Sequence, residues 1–159
     1  PQGEWGGPYE PRAEETMTWF INVLKPFIDA KFRTLPDRQH TFISGSSMGG
    51  LMTLYALLKH NDVFSRGAAL SPTLDIDIDQ LCQMIQEAEL TPDTVLYMDY
   101  GRREFDYEHW SRNNFVRAAQ LLGSKDILLS TRLVPEGEHN EASWEKQLPF
   151  AIPTLMYNI

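Results

Sequence analysis

Two spacings of apolar residues alternate along this chain, and together they predict four strands and five helices. Short apolar runs typical of buried strands occupy residues 41–43, 66–71, 94–100 and 127–134. Apolar residues recur at helical spacing in residues 12–32, 48–58, 77–88, 105–123 and from 140 onward. This alternation predicts an α/β fold, a parallel sheet with helices on both faces, in which functional groups lie at the carboxyl ends of the strands.

Prolines are expected to interrupt two of the predicted helices. Pro26 lies inside the first helix, where its missing N–H and its ring predict a kink or a break. Pro149 and Pro153 are expected to break the last helix for the same reason.

The sequence GSSMG at residues 45–49 matches the pattern G-x-S-x-G of a nucleophile elbow, a sharp turn from a strand into a helix. Such a turn leaves no room for a Cβ beside the serine, which accounts for Gly45 and Gly49. The turn predicts Ser47 as a nucleophile. It also places the N–H of Met48 at the start of the helix, where an oxyanion can be stabilised. The competing interpretation is an ordinary turn of an α/β domain with an idle serine.

The helix after the elbow is predicted to bury one apolar stripe. The members of that stripe are Met48, Leu51, Met52, Tyr55 and Leu58. A strand before the motif and an amphipathic helix after it are the context that a nucleophile elbow requires.

Composition narrows the classes of partner. The chain carries 22 acidic and 14 basic side chains, a formal net charge of −8, which argues against binding to nucleic acid or to an anionic membrane surface. No apolar run approaches the length of a membrane span, and no Cys/His cluster has metal-ligand spacing, so we expect no metal and no cofactor. Cys82 is the single cysteine, which excludes an internal disulfide; with the acidic balance it favours a cytoplasmic protein.

A serine hydroxyl needs a neighbouring base, and the chain offers four histidines. His40 precedes the first strand, at the wrong end of the sheet, and His60 closes a helix. His109 follows the third strand and is placed to line the site. His139 lies on a glycine-containing loop just past the fourth strand and is therefore the predicted base.

The base needs a carboxylate partner, which in enzymes with this motif lies between the nucleophile and the base along the chain. Acidic residues crowd the end of the third strand: Asp99, Glu104, Asp106 and Glu108. Glu104, on the loop after Gly101, is favoured, and Asp106 comes next. A Ser–His dyad without an acid is the remaining option, and a solvated acidic loop is the alternative without chemistry.

Three aromatic residues lie next in sequence to the predicted acid and base, namely Tyr107, Trp110 and Trp144. They are candidates to line a pocket for an aromatic or sugar-bearing substrate, and each also suits the core or its rim. Trp144 in addition belongs to the apolar face of the last helix.

Three stretches resemble successive parts of one enzyme family: ISGSSMGGLMTLYALLKHNDVFSRGAALSP, MDYGRRE and VPEGEHNEASWEKQLPFAI. They are similar to the elbow, helix and next strand, the Gly-x-x-acid loop, and the Gly-x-His loop with a following Trp of the Putative esterase family. That family includes S-formylglutathione hydrolase, enterochelin esterases, feruloyl and acetyl-xylan esterases, and the mycolyltransferases. The resemblance implies an α/β-hydrolase fold and hydrolysis of carboxylic esters. It also implies Ser47 as nucleophile, Glu104 as acid and His139 as base.

Members of this family carry further strands before the elbow, and the loop that completes the oxyanion hole. The resemblance therefore implies that residues 1–159 form one α/β-hydrolase domain, the C-terminal part of a longer catalytic domain. An upstream segment or a second chain would then complete the sheet, and a homo-oligomer is a further candidate assembly. The alternatives to a hydrolase of small-molecule esters are an acyltransferase of the same fold and a non-catalytic binding domain.

Overall fold

The computed structural model describes residues 12–104 and 109–159, with the side chains of His109 and Trp110 excepted, and the chain divides into two compact units, 1–35 and 36–159. In the first unit, helix α1 (Ala13–Trp19), a π-helical stretch (Phe20–Leu24) and helix α2 (Lys25–Lys31) follow one another directly. Pro26 lies in the first turn of α2, directly after the π-helical stretch, and its missing N–H removes one hydrogen bond to the preceding turn. The interruption predicted at Pro26 thus takes the form of the π-helical stretch before it.

The second unit is built on a parallel sheet with strand order β1-β2-β3-β4. Its elements are β1 (Phe42–Ser46), α3 (Met48–Lys59), β2 (Arg66–Leu70), α4 (Ile78–Glu87), β3 (Val95–Gly101), α5 (His109–Leu122), β4 (Leu128–Val134), α6 (Glu141–Glu145) and α7 (Leu148–Leu155). The predicted alternation of strands and helices is confirmed. All four strands run in one direction, so their carboxyl ends meet at one edge of the sheet.

Helices cover both faces of this sheet, as predicted. Gly67 of β2 faces α3, because a Cβ at Gly67 would lie 2.7 Å from the Leu57 side chain. The next residue, Ala68, belongs to a buried apolar cluster that includes Ala151 and Leu155 of α7. Successive residues of a strand point to opposite faces, so α3 and α7 lie on opposite sides of the sheet.

The buried face of α3 differs from the predicted stripe, of which only Leu58 is buried. The buried positions are Gly50, Thr53, Leu54, Ala56, Leu57 and Leu58. The sequence of α3, MGGLMTLYALLK, contains one charged residue, so apolar side chains surround most of the helix. The spacing of apolar residues therefore does not determine which face of α3 is buried. The close fit against Gly67 determines it.

The last predicted helix is interrupted between α6 and α7, and Pro149 lies in the first turn of α7. The break expected at Pro153 is wrong, because Pro153 lies inside α7 without ending it. It occupies the final turn, where little helix remains to be distorted. Within residues 12–104 and 109–159, no helix is both long enough and apolar enough to cross a membrane.

Candidate active site

Ser47 lies between β1 and α3 with a φ of 57°, a left-handed conformation that is uncommon for residues other than glycine. Backbone hydrogen bonds hold it there. Its N–H donates to the Leu70 carbonyl at 3.0 Å, and its own carbonyl accepts from the N–H groups of Leu51 and Thr73, each at 3.1 Å. The end of β2 and the turn after it therefore fix the backbone of Ser47.

The glycines around Ser47 have different roles. A Cβ on Gly45 would lie 2.6 Å from the Gly49 carbonyl carbon, so Gly45 permits a close backbone approach. A Cβ on Gly49 would meet no atom within 4 Å, and the steric need predicted at Gly49 is wrong. The backbone of Gly49 is instead the surface against which Gly45 packs. Met48 is the first residue of α3, where a helix offers N–H groups without intrahelical partners.

The structure brings Ser47, His139 and Glu104 into one line of hydrogen bonds. His139 Nε2 lies 2.8 Å from Ser47 Oγ, and His139 Nδ1 lies 2.7 Å from Glu104 Oε2. The Glu104 side chain is fully buried, whereas Ser47 and His139 are half-buried. A neutral imidazole that donates from Nδ1 to a carboxylate keeps Nε2 free to accept the proton of a hydroxyl.

The other oxygen of Glu104 is held separately. Glu104 Oε1 accepts from the N–H of Gly101 at 2.6 Å and from the Ser71 hydroxyl at 2.5 Å. A buried carboxylate is costly unless its oxygens are hydrogen-bonded, and both oxygens of Glu104 have partners. This arrangement leaves Oε2 facing His139.

The loops that carry Glu104 and His139 pack backbone against backbone. A Cβ on Gly137 would lie 2.7 Å from the Cα of Gly101, and the N–H of Arg103 donates to the Gly137 carbonyl at 2.9 Å. Only glycine allows two chains to approach this closely. Gly101 and Gly137 therefore set the short separation of Glu104 and His139.

Asp99, one of the acids considered above, lies elsewhere in the network. It is buried in β3, where its Oδ1 accepts from the N–H of Ser71 at 3.0 Å and its Oδ2 from the Tyr97 hydroxyl at 2.9 Å. Burial, with a smaller contribution from the nearby Glu104, raises its pKa from 3.8 to about 6, although the hydrogen bonds from Ser71 and Tyr97 act to lower it. Burial and the neighbouring Asp99 also raise the pKa of Tyr97.

Sequence reasoning missed two hydroxyl groups on the segment after β2. Ser71 contacts Glu104, and Thr73 Oγ1 lies 3.2 Å from Ser47 Oγ. Thr73 can donate to Ser47 while Ser47 donates to His139, so the two contacts are compatible. The available signal was a Ser-Pro-Thr sequence at the carboxyl end of a buried strand, at the edge that carries the nucleophile.

Of the remaining predicted residues, the structure describes some and not others. Trp144 packs edge-on against the imidazole of His139, with ring centroids 5.1 Å apart and an interplanar angle of 85°, and it also borders the core cluster. Tyr107 and the side chain of Trp110 lie outside the described residues, as do Asp106, Glu108 and the side chain of His109. His40 bonds to Asp37 at the amino end of the sheet.

Possible metal ligands and the single cysteine also bear on the chemistry that is available. In the part of the chain that the structure describes, no group of three or more His, Cys, Asp or Glu side chains could hold a metal ion. Cys82 is buried in α4, and burial raises the pKa of its thiol, which leaves it unreactive. The hydroxyl–imidazole–carboxylate line is thus the arrangement suited to nucleophilic chemistry.

Solved structures share this fold at low sequence identity, and no curated protein sequence matches the chain. A ferulic acid esterase superposes with a TM-score of 0.72 and 21% identity, over 87% of this chain and 60% of that one. An IroE-like serine hydrolase from Shewanella oneidensis gives a TM-score of 0.75 and 20% identity, over 92% and 50%. The enterobactin esterase FES from Shigella flexneri gives 0.77 and 19%, over 89% and 37%.

The chain thus spans 60% or less of the length of these three structures, and the likeness establishes an α/β-hydrolase fold. A family model described as Putative esterase matches residues 4–155, which is nearly the whole chain. This match, over a shared fold, identifies the chain as a member of the Putative esterase family.

Proposed function

We propose that this protein hydrolyses small-molecule carboxylic esters through an acyl-enzyme formed on Ser47. One observation carries the proposal: a continuous line of hydrogen bonds runs from Glu104 through His139 to Ser47. Membership in an esterase family supports the reaction class. The names of the neighbours, a ferulic acid esterase and an enterobactin esterase, support esters as the substrate class.

In the first half of the proposed reaction, Ser47 Oγ attacks the ester carbonyl carbon while His139 Nε2 takes the hydroxyl proton. Glu104 stabilises the imidazolium that forms, and the N–H of Met48 donates to the developing oxyanion. The tetrahedral intermediate then collapses. The alcohol leaves with the proton from His139, and the acyl group stays on Ser47.

In the second half, water attacks the acyl carbonyl and His139 Nε2 takes one of its protons. Collapse of the second intermediate returns that proton to Ser47 Oγ and releases the carboxylic acid. Trp144 supports this cycle by holding the imidazole edge-on, which limits rotation of the ring away from Ser47. Catalysis of this kind depends on keeping the base in place through both halves.

Covalent labelling tests the proposal. Ser47→Ala should abolish reaction with a fluorophosphonate probe and lower the hydrolysis rate of p-nitrophenyl acetate by about 10⁴-fold or more, because the nucleophile is removed. The matched control is Ser44→Ala. Ser44 is an exposed serine in β1, the strand that ends just before Ser47, and this variant should be labelled like the parent protein. Retention of activity and labelling in Ser47→Ala would refute the proposal. With the parent protein, the products should be the free acid and alcohol in equal amounts.

A further inference from the structure

Ser71 occupies an unusual position directly after β2. Its residue is 3% exposed and its φ is 43°, in the left-handed region that favours glycine. The N–H of Ser71 donates to Asp99 Oδ1 at 3.0 Å and lies 3.2 Å from the Asp99 carbonyl oxygen. The neighbouring strand therefore holds the backbone of Ser71 in this conformation.

Glycine would meet the backbone requirement at this position with less strain, so the side chain needs another explanation. That side chain ends in a buried hydroxyl, which donates to Glu104 Oε1 at 2.5 Å. The other donor to this oxygen is the N–H of Gly101, which belongs to the end of β3. The carboxylate of Glu104 is thus held from two strands rather than one.

The segment 70–73 also contacts the nucleophile. Leu70 accepts from the N–H of Ser47, and the N–H of Thr73 donates to the Ser47 carbonyl. One short stretch of chain therefore binds Ser47 through its backbone and Glu104 through the Ser71 hydroxyl. This shared attachment fixes the separation between the nucleophile and the acid, and His139 bridges that separation.

We propose that Ser71 is a positioning residue for ester hydrolysis at Ser47, and that it acts through Glu104. Its hydroxyl locks Oε1, so that Oε2 stays aimed at His139 Nδ1. Without it, Oε1 keeps only its hydrogen bond to Gly101, and the orientation of the carboxylate is held less firmly. This inference rests on the proposed function.

Two substitutions distinguish the effect of the Ser71 hydroxyl from the effect of the backbone conformation of Ser71. Ser71→Ala and Ser71→Gly should each lower kcat for p-nitrophenyl acetate by about tenfold with KM unchanged, because each removes one hydrogen bond to a charged, buried group. Ser71→Gly should have a higher melting temperature than Ser71→Ala, since glycine favours a φ of 43°. An equal loss of kcat in two variants that differ in stability cannot come from unfolding.

Ser65→Ala is the matched control, because Ser65 is a buried serine at the opposite end of the same strand. Its hydroxyl donates to the Gln39 carbonyl at 3.3 Å, at the amino end of the sheet, opposite to the end that carries the proposed active-site residues. Ser65→Ala should leave kcat unchanged. If it lowers kcat as much as Ser71→Ala does, loss of a buried hydroxyl in β2 explains both results and the proposal fails.

A double-mutant cycle tests whether Ser71 acts through Glu104. In a Glu104→Ala background, Ser71→Ala should cause no further loss of residual kcat. An undiminished tenfold loss in that background, or a wild-type kcat in Ser71→Gly, would overturn the positioning role. Failure of the proposed function is a separate result, because it appears as activity and labelling that persist in Ser47→Ala.

Discussion

Polar networks occupy both ends of the sheet, and they are built differently. At the amino end, Arg38 pairs with Asp93 at 2.6 Å and donates to Asn61 Oδ1 at 3.0 Å and to Thr94 at 3.2 Å. Two further hydrogen bonds from its guanidinium reach the Asn61 carbonyl and the Thr91 hydroxyl. At the carboxyl end, a line of hydrogen bonds ends at the half-buried hydroxyl of Ser47.

The difference lies in what each network can exchange. Arg38 carries a permanent charge, and its N–H donors are hydrogen-bonded to oxygen acceptors. This network therefore does not exchange a proton with a substrate. The carboxyl-end network combines an imidazole, a carboxylate of raised pKa at Asp99, and two serines at positive φ, Ser47 and Ser71. The positive φ of Ser47 and Ser71 and the raised carboxylate pKa of Asp99 thus lie where chemistry is proposed, and we expect substitutions at the two ends to separate rate from stability.

Glu104→Gln should have the largest effect of the changes that test this contrast. The amide oxygen of Gln can keep the two contacts of Oε1 with Gly101 and Ser71, which turns the NH₂ group toward His139 Nδ1. His139 then accepts at Nδ1 and carries its proton on Nε2, so it cannot take the proton of Ser47. We expect kcat to fall about 10⁴-fold, by analogy with the loss of tautomer control in the Ser-His-Asp triad of serine proteases.

Steady-state kinetics with p-nitrophenyl acetate and urea unfolding of the same preparation check this prediction. The unfolding midpoint should change little, because the hydrogen bonds of Oε1 persist. A parent-like kcat in Glu104→Gln would show that the carboxylate does not control the tautomer of His139.

Arg38→Ala should produce the opposite result, a loss of stability with kcat retained. The substitution removes the hydrogen bond from Arg38 to the carbonyl of the buried Asn61, whereas Asn61 Oδ1 and Thr94 keep other partners. Since unsatisfied buried polar groups are costly, we expect the free energy of unfolding to fall by about 3 kcal/mol.

Urea denaturation measures that change, and Arg117→Ala is the control. Arg117 forms an exposed ion pair with Asp79, and such pairs contribute little, so its removal should leave the unfolding midpoint nearly unchanged. A loss of kcat in folded Arg38→Ala would contradict the separation of the two networks.

Much of this contrast was predictable from the sequence, because it depends on strand order and strand ends. Short apolar runs located the strands, and the G-x-S-x-G turn placed Ser47 at a strand end. The chain order of serine, acid and histidine then directed attention to the loops that carry Glu104 and His139. Each of these residues lies at the carboxyl end of its strand, as expected for a parallel sheet.

What sequence could not predict depends on tertiary packing. The hydroxyl of Ser71 reaches Glu104 only because β2 and β3 pair in a particular register, with Leu70 opposite Asp99. The inward face of α3 depends on the fit against Gly67, since apolar residues surround that helix. Trp144 looked equally suited to substrate or core, and tertiary packing places it against both His139 and the core cluster.

Asp99→Asn should have a smaller effect, confined to the pH dependence of stability. The folded-state pKa of Asp99, about 6, lies above its ordinary value of 3.8, so between these values the folded protein binds more protons than the unfolded chain. The free energy of unfolding therefore falls as pH rises through this window. From pH 4 to pH 6 the contribution of Asp99 amounts to about 2 kcal/mol.

Asn at this position can keep both contacts, because its oxygen accepts from Ser71 and its NH₂ group donates to the Tyr97 hydroxyl. It does not titrate, so the variant should gain about 2 kcal/mol relative to the parent between pH 4 and pH 6. Urea unfolding at several pH values measures the difference, in which the titrations of the other acids cancel. If the free energies of unfolding of the two proteins run parallel against pH, Asp99 is already ionised at pH 4. The strain at the carboxyl end of the sheet would then lie in the backbone of Ser47 and Ser71 alone.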